Sequence, residues 1–179
     1  PAMLGVGQPL PGDIAVTGKG LNISSGDATP DTADDTDFGF VDGMAGAHSH
    51  VFTIRNTGGL PLTLGANAVS LTGSSEFVVV AQPATSVSGG GMTTFTINYL
   101  GNLAGVRTAT VSIANDDPDE SPFVFDIKGI GAMAISAGTI GSDNDDMDGA
   151  ADTFQISLDT GMTEVRQTGG MGGPDIAIF

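Results

Sequence analysis

Thr94-Phe95-Thr96-Ile97-Asn98-Tyr99 puts Phe95, Ile97 and Tyr99 in phase at every second position, with short polar residues between them. A period of two belongs to a strand with one buried and one solvated face. The pattern repeats in both directions from this stretch. Toward the N-terminus it recurs in Leu60-Pro61-Leu62-Thr63-Leu64 and, after Val51, in His50-Val51-Phe52-Thr53-Ile54-Arg55-Asn56, while Phe77-Val78-Val79-Val80 reads as a further strand. Phe38-Gly39-Phe40-Val41 and residues 13 to 17 read as earlier extended segments. Toward the C-terminus come Thr108-Ala109-Thr110-Val111-Ser112-Ile113 and Phe123-Val124-Phe125-Asp126-Ile127-Lys128. Turns rich in Gly, Pro, Asn and Asp separate them, at the spacing of an all-β sandwich. The expected core is Phe52, Ile54, Leu62, Leu64, Phe77, Phe95, Ile97, Val111, Ile113, Phe123, Phe125 and Ile127.

Composition narrows the function. Among 179 residues there are 21 acids and 5 Lys or Arg, a formal charge of -16, and all the acids are Asp except Glu76, Glu120 and Glu164. Such a chain repels phosphate backbones and anionic membrane surfaces, so neither nucleic acid nor direct membrane insertion is expected. It attracts cations, and Asp suits tight oxygen-ligand loops. A solvating surface is the simpler reading for the scattered acids. The chain has no cysteine, which excludes disulfides and thiolate metal sites. No apolar run reaches membrane-spanning length. Pro1 is not a natural translation start, so the chain is expected to be a processed or excised piece of a longer protein.

Ordered blocks carry a family resemblance. Gly26-Asp27-Ala28-Thr29-Pro30 precedes Thr36-Asp37-Phe38-Gly39; then come Phe52-Thr53-Ile54-Arg55-Asn56-Thr57-Gly58 and Leu62-Thr63-Leu64. Thr94-Phe95-Thr96-Ile97 follows, then Ala109 to Asp117, and finally Asp119-Glu120-Ser121-Pro122-Phe123 leading to Ile127-Lys128-Gly129-Ile130-Gly131. From about Asp13 to Gly131 the chain resembles the ASH-type Ig-like domains of bacterial choice-of-anchor D surface proteins. The resemblance implies an Ig-like antiparallel sandwich of about seven strands, often in tandem, on secreted or surface-anchored proteins. It implies a structural or interaction module and no catalytic site.

Outside that span lies the strongest local motif, Asn144-Asp145-Asp146-Met147-Asp148-Gly149-Ala150-Ala151-Asp152. It fits D-x-D-x-D-G-x-x-D with Asn first. Calcium takes about six to eight oxygens, and carboxylates at alternate loop positions can surround one ion. The expected ligands are the side chains of Asn144, Asp146, Asp148 and Asp152 with the carbonyl of Ala150; Asp143 and Asp145 stand nearby. Gln155 occupies the position where an EF-hand carries its bidentate Glu, so this is a different loop, one that opens into the alternating strand Thr153–Leu158. An ion there would stiffen a connector. A solvated acidic turn is the competing reading, disfavoured because closely spaced Asp side chains repel one another.

The acids of 27 to 37 and of 115 to 120 are irregularly spaced and read as turns with Asx-type hydrogen bonds. His48 and His50 share a strand face but make an incomplete metal pair, and an exposed strand edge accounts for them. Gly89-Gly90-Gly91 reads as a hairpin-type turn. No Ser-His-Asp order, H-E-x-x-H or phosphate loop is present, Trp is absent, and Tyr99 is the single tyrosine. The chain is therefore not expected to be an enzyme.

Asp175-Ile176-Ala177-Ile178-Phe179 repeats the start of the first strand, Asp13-Ile14-Ala15-Val16. It reads as the opening of a further repeat or as a strand given to a neighbouring molecule. The expected organisation is an N-terminal extension at 1–12, a sandwich at 13–131, a connector with the calcium loop and a hairpin at 132–171, and a terminal strand at 172–179. The expected function is an extracellular, cell-surface structural or adhesive module in a tandem array or filament, built by strand addition and self-association. An accessory glycan- or protein-binding module of a larger secreted enzyme is the alternative.

Overall fold

The computed structural model describes residues 9–41 and 46–131, together with the backbone of three strands at 135–136, 153–158 and 161–166. The first eleven strands are Ile14–Gly18 (β1), Leu21–Ile23 (β2), Asp37–Val41 (β3), His48–Asn56 (β4), Leu62–Thr63 (β5), Val69–Gly73 (β6), Phe77–Ala81 (β7), Ser86–Val87 (β8), Met92–Tyr99 (β9), Gly105–Ile113 (β10) and Phe123–Gly131 (β11). A five-stranded sheet, β2-β1-β4-β9-β7, faces a four-stranded sheet, β3-β11-β10-β6, with β5 and β8 forming a small pair. Contacts divide the chain into Pro1–Ala132 and Met133–Phe179. The second unit contains Ile135–Ser136 (β12), Thr153–Leu158 (β13) and Gly161–Arg166 (β14), antiparallel in the order β12-β13-β14.

The chain is an all-β, Ig-like sandwich, and the alternation that predicts it also fills its core. All the residues expected to point inward, from Phe52 to Ile127, are buried. Phe52 stacks on Phe95 across β4 and β9 with ring centroids 5.2 Å apart, and lies 5.6 Å from Phe125 of the facing sheet. Each such phenyl group contributes about 1.5–3 kcal/mol by leaving water. Where β11 passes Tyr99, the core is too tight for any side chain: a Cβ on Gly129 would lie 2.6 Å from the tyrosine ring.

Two features depart from a simple seven-stranded antiparallel sandwich. The alternation reading passes over β2 and β8, which are three and two residues long, and over β6, whose Val69-Ser70-Leu71-Thr72 does alternate. In addition β3 runs parallel to β11. A hairpin would force antiparallel pairing, but residues 24–36 form a long crossing that lets β3 enter beside the last strand in the same direction. The Gly89-Gly90-Gly91 turn links β8 to β9, strands of different sheets that do not pair, so it closes no hairpin.

The histidine pair also lies elsewhere than on an exposed edge. β4 is central, between β1 and β9. His48 is exposed, whereas His50 is half-buried, stacked on Phe38 at a centroid distance of 3.9 Å, with Nδ1 2.7 Å from the Asp35 carbonyl. Lys19 Nζ lies 2.6 Å from Asp35 Oδ1.

Candidate functional site

The described residues with the densest polar organisation lie where β1 begins. Asn56, at the end of β4, is fully buried and uses its whole side chain. Its Oδ1 accepts the amides of Asp13 (3.1 Å) and Gly58 (3.0 Å), and its Nδ2 donates to the carbonyls of Leu60 (2.8 Å) and Val87 (2.9 Å). Thr57 donates its amide to the Asp13 carbonyl at 2.8 Å and its hydroxyl to the Asp13 carboxylate. Gly58 is required by space, since a Cβ there would sit 1.8 Å from the Pro11 carbonyl oxygen.

The loop between β10 and β11 closes on this seat from the other sheet. Asn115 Oδ1 accepts the Asp117 amide (2.9 Å), and Asn115 Nδ2 donates to the carbonyls of Ile113 and Glu120. These Asx bonds are the chemistry expected of the 115–120 acids. They also do something linear spacing does not reveal: they aim Asp117 at the first strand. Asp117 is buried, and its Oδ2 accepts the Ile14 amide at 2.8 Å. Asp116 reaches the other way, its Oδ1 accepting the Thr63 amide at 2.7 Å.

Three carboxylates converge as a result. One oxygen each from Asp13, Asp117 and Glu120 lies within 4.8 Å of the others. Burial pushes the Asp117 carboxyl up, but the amides of Ile14, Asp119 and Glu120 outweigh it and hold the group below the ordinary aspartate value. Asp119 is raised by its side-chain hydrogen bond to Asp117 and by that neighbour's charge. Glu120 is raised by burial, then by the charges of Asp117, Asp119 and Asp13. Crowded acids with one member held ionised are a setting in which a divalent cation relieves repulsion, although three carboxylates supply only part of a calcium shell. Asp13 is far from the other two in sequence, so no motif could have paired them.

Except for Asp35, which pairs with Lys19, the acids of 27–37 serve as turn caps. Asp27 Oδ1 accepts both the amide and the hydroxyl of Thr29, Asp31 Oδ1 the Ala33 amide, and Asp34 Oδ1 the amide and hydroxyl of Thr36. The expected calcium ligands Asn144, Asp146, Asp148, Ala150 and Asp152 lie outside the described residues, as does the terminal segment Asp175, Ile176, Ala177, Ile178 and Phe179. Of the N-terminal extension, the described part binds its own chain: the Leu10 carbonyl accepts the amides of Gly59 (3.1 Å) and Leu60 (2.9 Å).

Neither family models nor curated proteins match this chain. Solved structures with partial likeness include a protein of unknown function from Porphyromonas gingivalis W83, at 22% identity and a TM-score of 0.47 over 66% of this chain and 46% of that one. Another is WR4, a C. elegans MSP family member, at 13% identity and a TM-score of 0.34 over 54% of this chain and 93% of that one. The VesB protease of Vibrio cholerae aligns at 12% identity and a TM-score of 0.39 over 52% of this chain and 28% of that one. The chain thus spans under half the length of the Porphyromonas protein. Likeness at this level says nothing of function, and the fold rests on the strand pairings and the core.

Proposed function

We propose that the chain is a non-catalytic, extracellular structural or adhesive module of the ASH-type Ig-like kind, working in a tandem array or filament. The observation that carries this reading is the seat of β1. An Asp followed by alternating apolar residues is what the seat takes: Asp13 meets Asn56 and Thr57, the Ile14 amide meets Asp117, and Ile14 and Val16 enter the core. Asp175-Ile176-Ala177-Ile178 offers the same order of side chains. It suits the same seat in a following sandwich or in a neighbouring molecule, by main-chain strand addition. Calcium held by the 144–152 loop would stiffen the connector between such units.

Light scattering and electron microscopy of the chain, with and without residues 173–179, test the proposal. Loss of the large assembly with small, folded particles left behind supports it; unchanged particle size after removing 173–179 and 1–12 refutes the polymer. One observation favours the alternative of a glycan- or protein-binding module: Phe40 is 67% exposed and paired in register with Ile130 and through it Val106, itself 57% exposed. Glycan-array binding lost on Phe40→Ala would support that reading.

A further inference from the structure

Among the described residues the larger sheet carries no acid, and its one Lys or Arg is the exposed Arg55 at the end of β4. None of the five strands of the larger sheet contains an aspartate or glutamate, while the facing sheet carries Asp37 and Asp126. The outer face of that sheet is instead Thr17, Thr53 and Thr94 in one cross-strand row, with Val51, Thr96 and Asn98 toward β7. For two chains of charge -16 to meet, an acid-free surface is where approach costs least.

Four edges border the two sheets, and they differ in how they are closed. β2 is three residues long. β3 carries the Asp37–Lys128 ion pair, 2.7 Å long. β6 is capped by Gln82, whose Oε1 accepts the Val69 amide (3.0 Å) and whose Nε2 donates to the Val69 carbonyl (2.8 Å). Among the described residues, β7 has none of these devices. Its residues Phe77–Ala81 are all uncharged, and Val78 and Val80 are 40% and 52% exposed, with Val51 at 52% two strands away on β4.

The ladder shows which backbone groups β7 leaves outward. The Leu100 amide donates to the Glu76 carbonyl, and Val78 pairs with Asn98, so residues 76 and 78 are the ones bonded to β9. Antiparallel pairing alternates, which turns the amide and carbonyl of Val79 away from the sheet. The bulge after Val79 ends the regular ladder there and keeps the free stretch short.

We propose that β7 is a self-association edge, pairing antiparallel with β7 of a second copy about a two-fold axis at Val79. Val79 then exchanges two hydrogen bonds with its counterpart, and Val78 of each copy lies opposite Val80 of the other on the outer face. The contact is self-complementary, as a two-fold interface requires, and the carboxylate next to it in sequence, Glu76, is buried and accepts the Asn102 and Leu103 amides. It is independent of the terminal strands invoked above.

Because the chain has no cysteine, a single introduced thiol reports the contact. Oxidised Val79→Cys is expected to form a covalent dimer, because directly opposed Cα atoms about 5.5 Å apart can be bridged. Thr72→Cys on the capped β6 edge is the control and is expected to stay monomeric. In sedimentation velocity, Val80→Lys should weaken association by about tenfold or more, since it sets two like charges against the pair. Added salt should strengthen association of the unsubstituted chain by screening its acids. Removing 173–179 should leave the dimer in place; its disappearance would assign the contact to the terminal strand and overturn β7. Equal cross-linking from Thr72→Cys, or a Val80→Lys chain that dimerises as before, would also overturn it.

Discussion

Replacing Asn56 by alanine should cost more than any other polar truncation among the described residues. The side chain is fully buried and holds four backbone groups at once: the Asp13 and Gly58 amides and the Leu60 and Val87 carbonyls. At about 1 kcal/mol net for each bond, with relief where water can reach the Asp13 amide, the loss comes to about 3 kcal/mol. That is a large share of the ~5–15 kcal/mol that holds a domain of this size together. It corresponds to a fall in melting temperature of about 10 °C. Urea denaturation at constant m gives the free energy directly. Asn98→Ala, which removes one exposed bond from Ser49, should stay within about 0.5 kcal/mol and serves as the control. Asn56→Asp separates bonding from volume. It keeps the oxygen that accepts both amides but turns a carboxylate oxygen toward two carbonyls, so it should be worst at neutral pH and recover as acid protonates it. A loss below about 1 kcal/mol for Asn56→Ala would refute the view that this side chain organises the seat of β1.

Gly129→Ala should destabilise the sandwich by about 1–3 kcal/mol, because its methyl group meets the Tyr99 ring and overpacks the core; thermal melting measures it. Acid titration of stability should have two phases. Glu120 has a raised carboxyl, so its penalty is present at neutral pH and is relieved as pH falls through its folded value toward the ordinary 4.5. Asp117 is lowered, so its contribution is present above the ordinary 3.8 and is lost as pH falls through its folded value. Glu120→Gln should reduce the first phase, to which the raised Asp119 also contributes, and Asp117→Asn should abolish the second, read by chemical denaturation across pH. Saturating calcium at a hundred times its dissociation constant should add about 2.7 kcal/mol to the unit that binds it. Asp146→Asn with Asp148→Asn should remove that gain, and a melting temperature indifferent to chelator in the unsubstituted chain would count against a structural ion.

Linear pattern and tertiary arrangement decide different things in this protein. The sandwich and its core were legible in the sequence because burial on one face of a strand imposes a period of two, and Phe95, Ile97, Val111, Ile113, Phe125 and Ile127 display it without interruption. Short strands were harder to read: β2 and β8 have too few residues to show a period. The direction of β3 followed from where a long loop sets it down, which no local pattern encodes. The turn chemistry of Asp27, Asp31, Asp34 and Asn115 was visible, because Asx bonds join residues two apart. The carboxylate group of Asp13, Asp117 and Glu120 was not, since its members come from opposite ends of the sandwich sequence and meet only when β1 docks beside the β10–β11 loop. The charge itself shows the same division. Sequence alone determines that the chain carries an excess of acids, because counting them needs no coordinates. Only the folded arrangement decides that those acids avoid every strand of one sheet, because it takes strand pairing to collect distant, acid-free segments side by side.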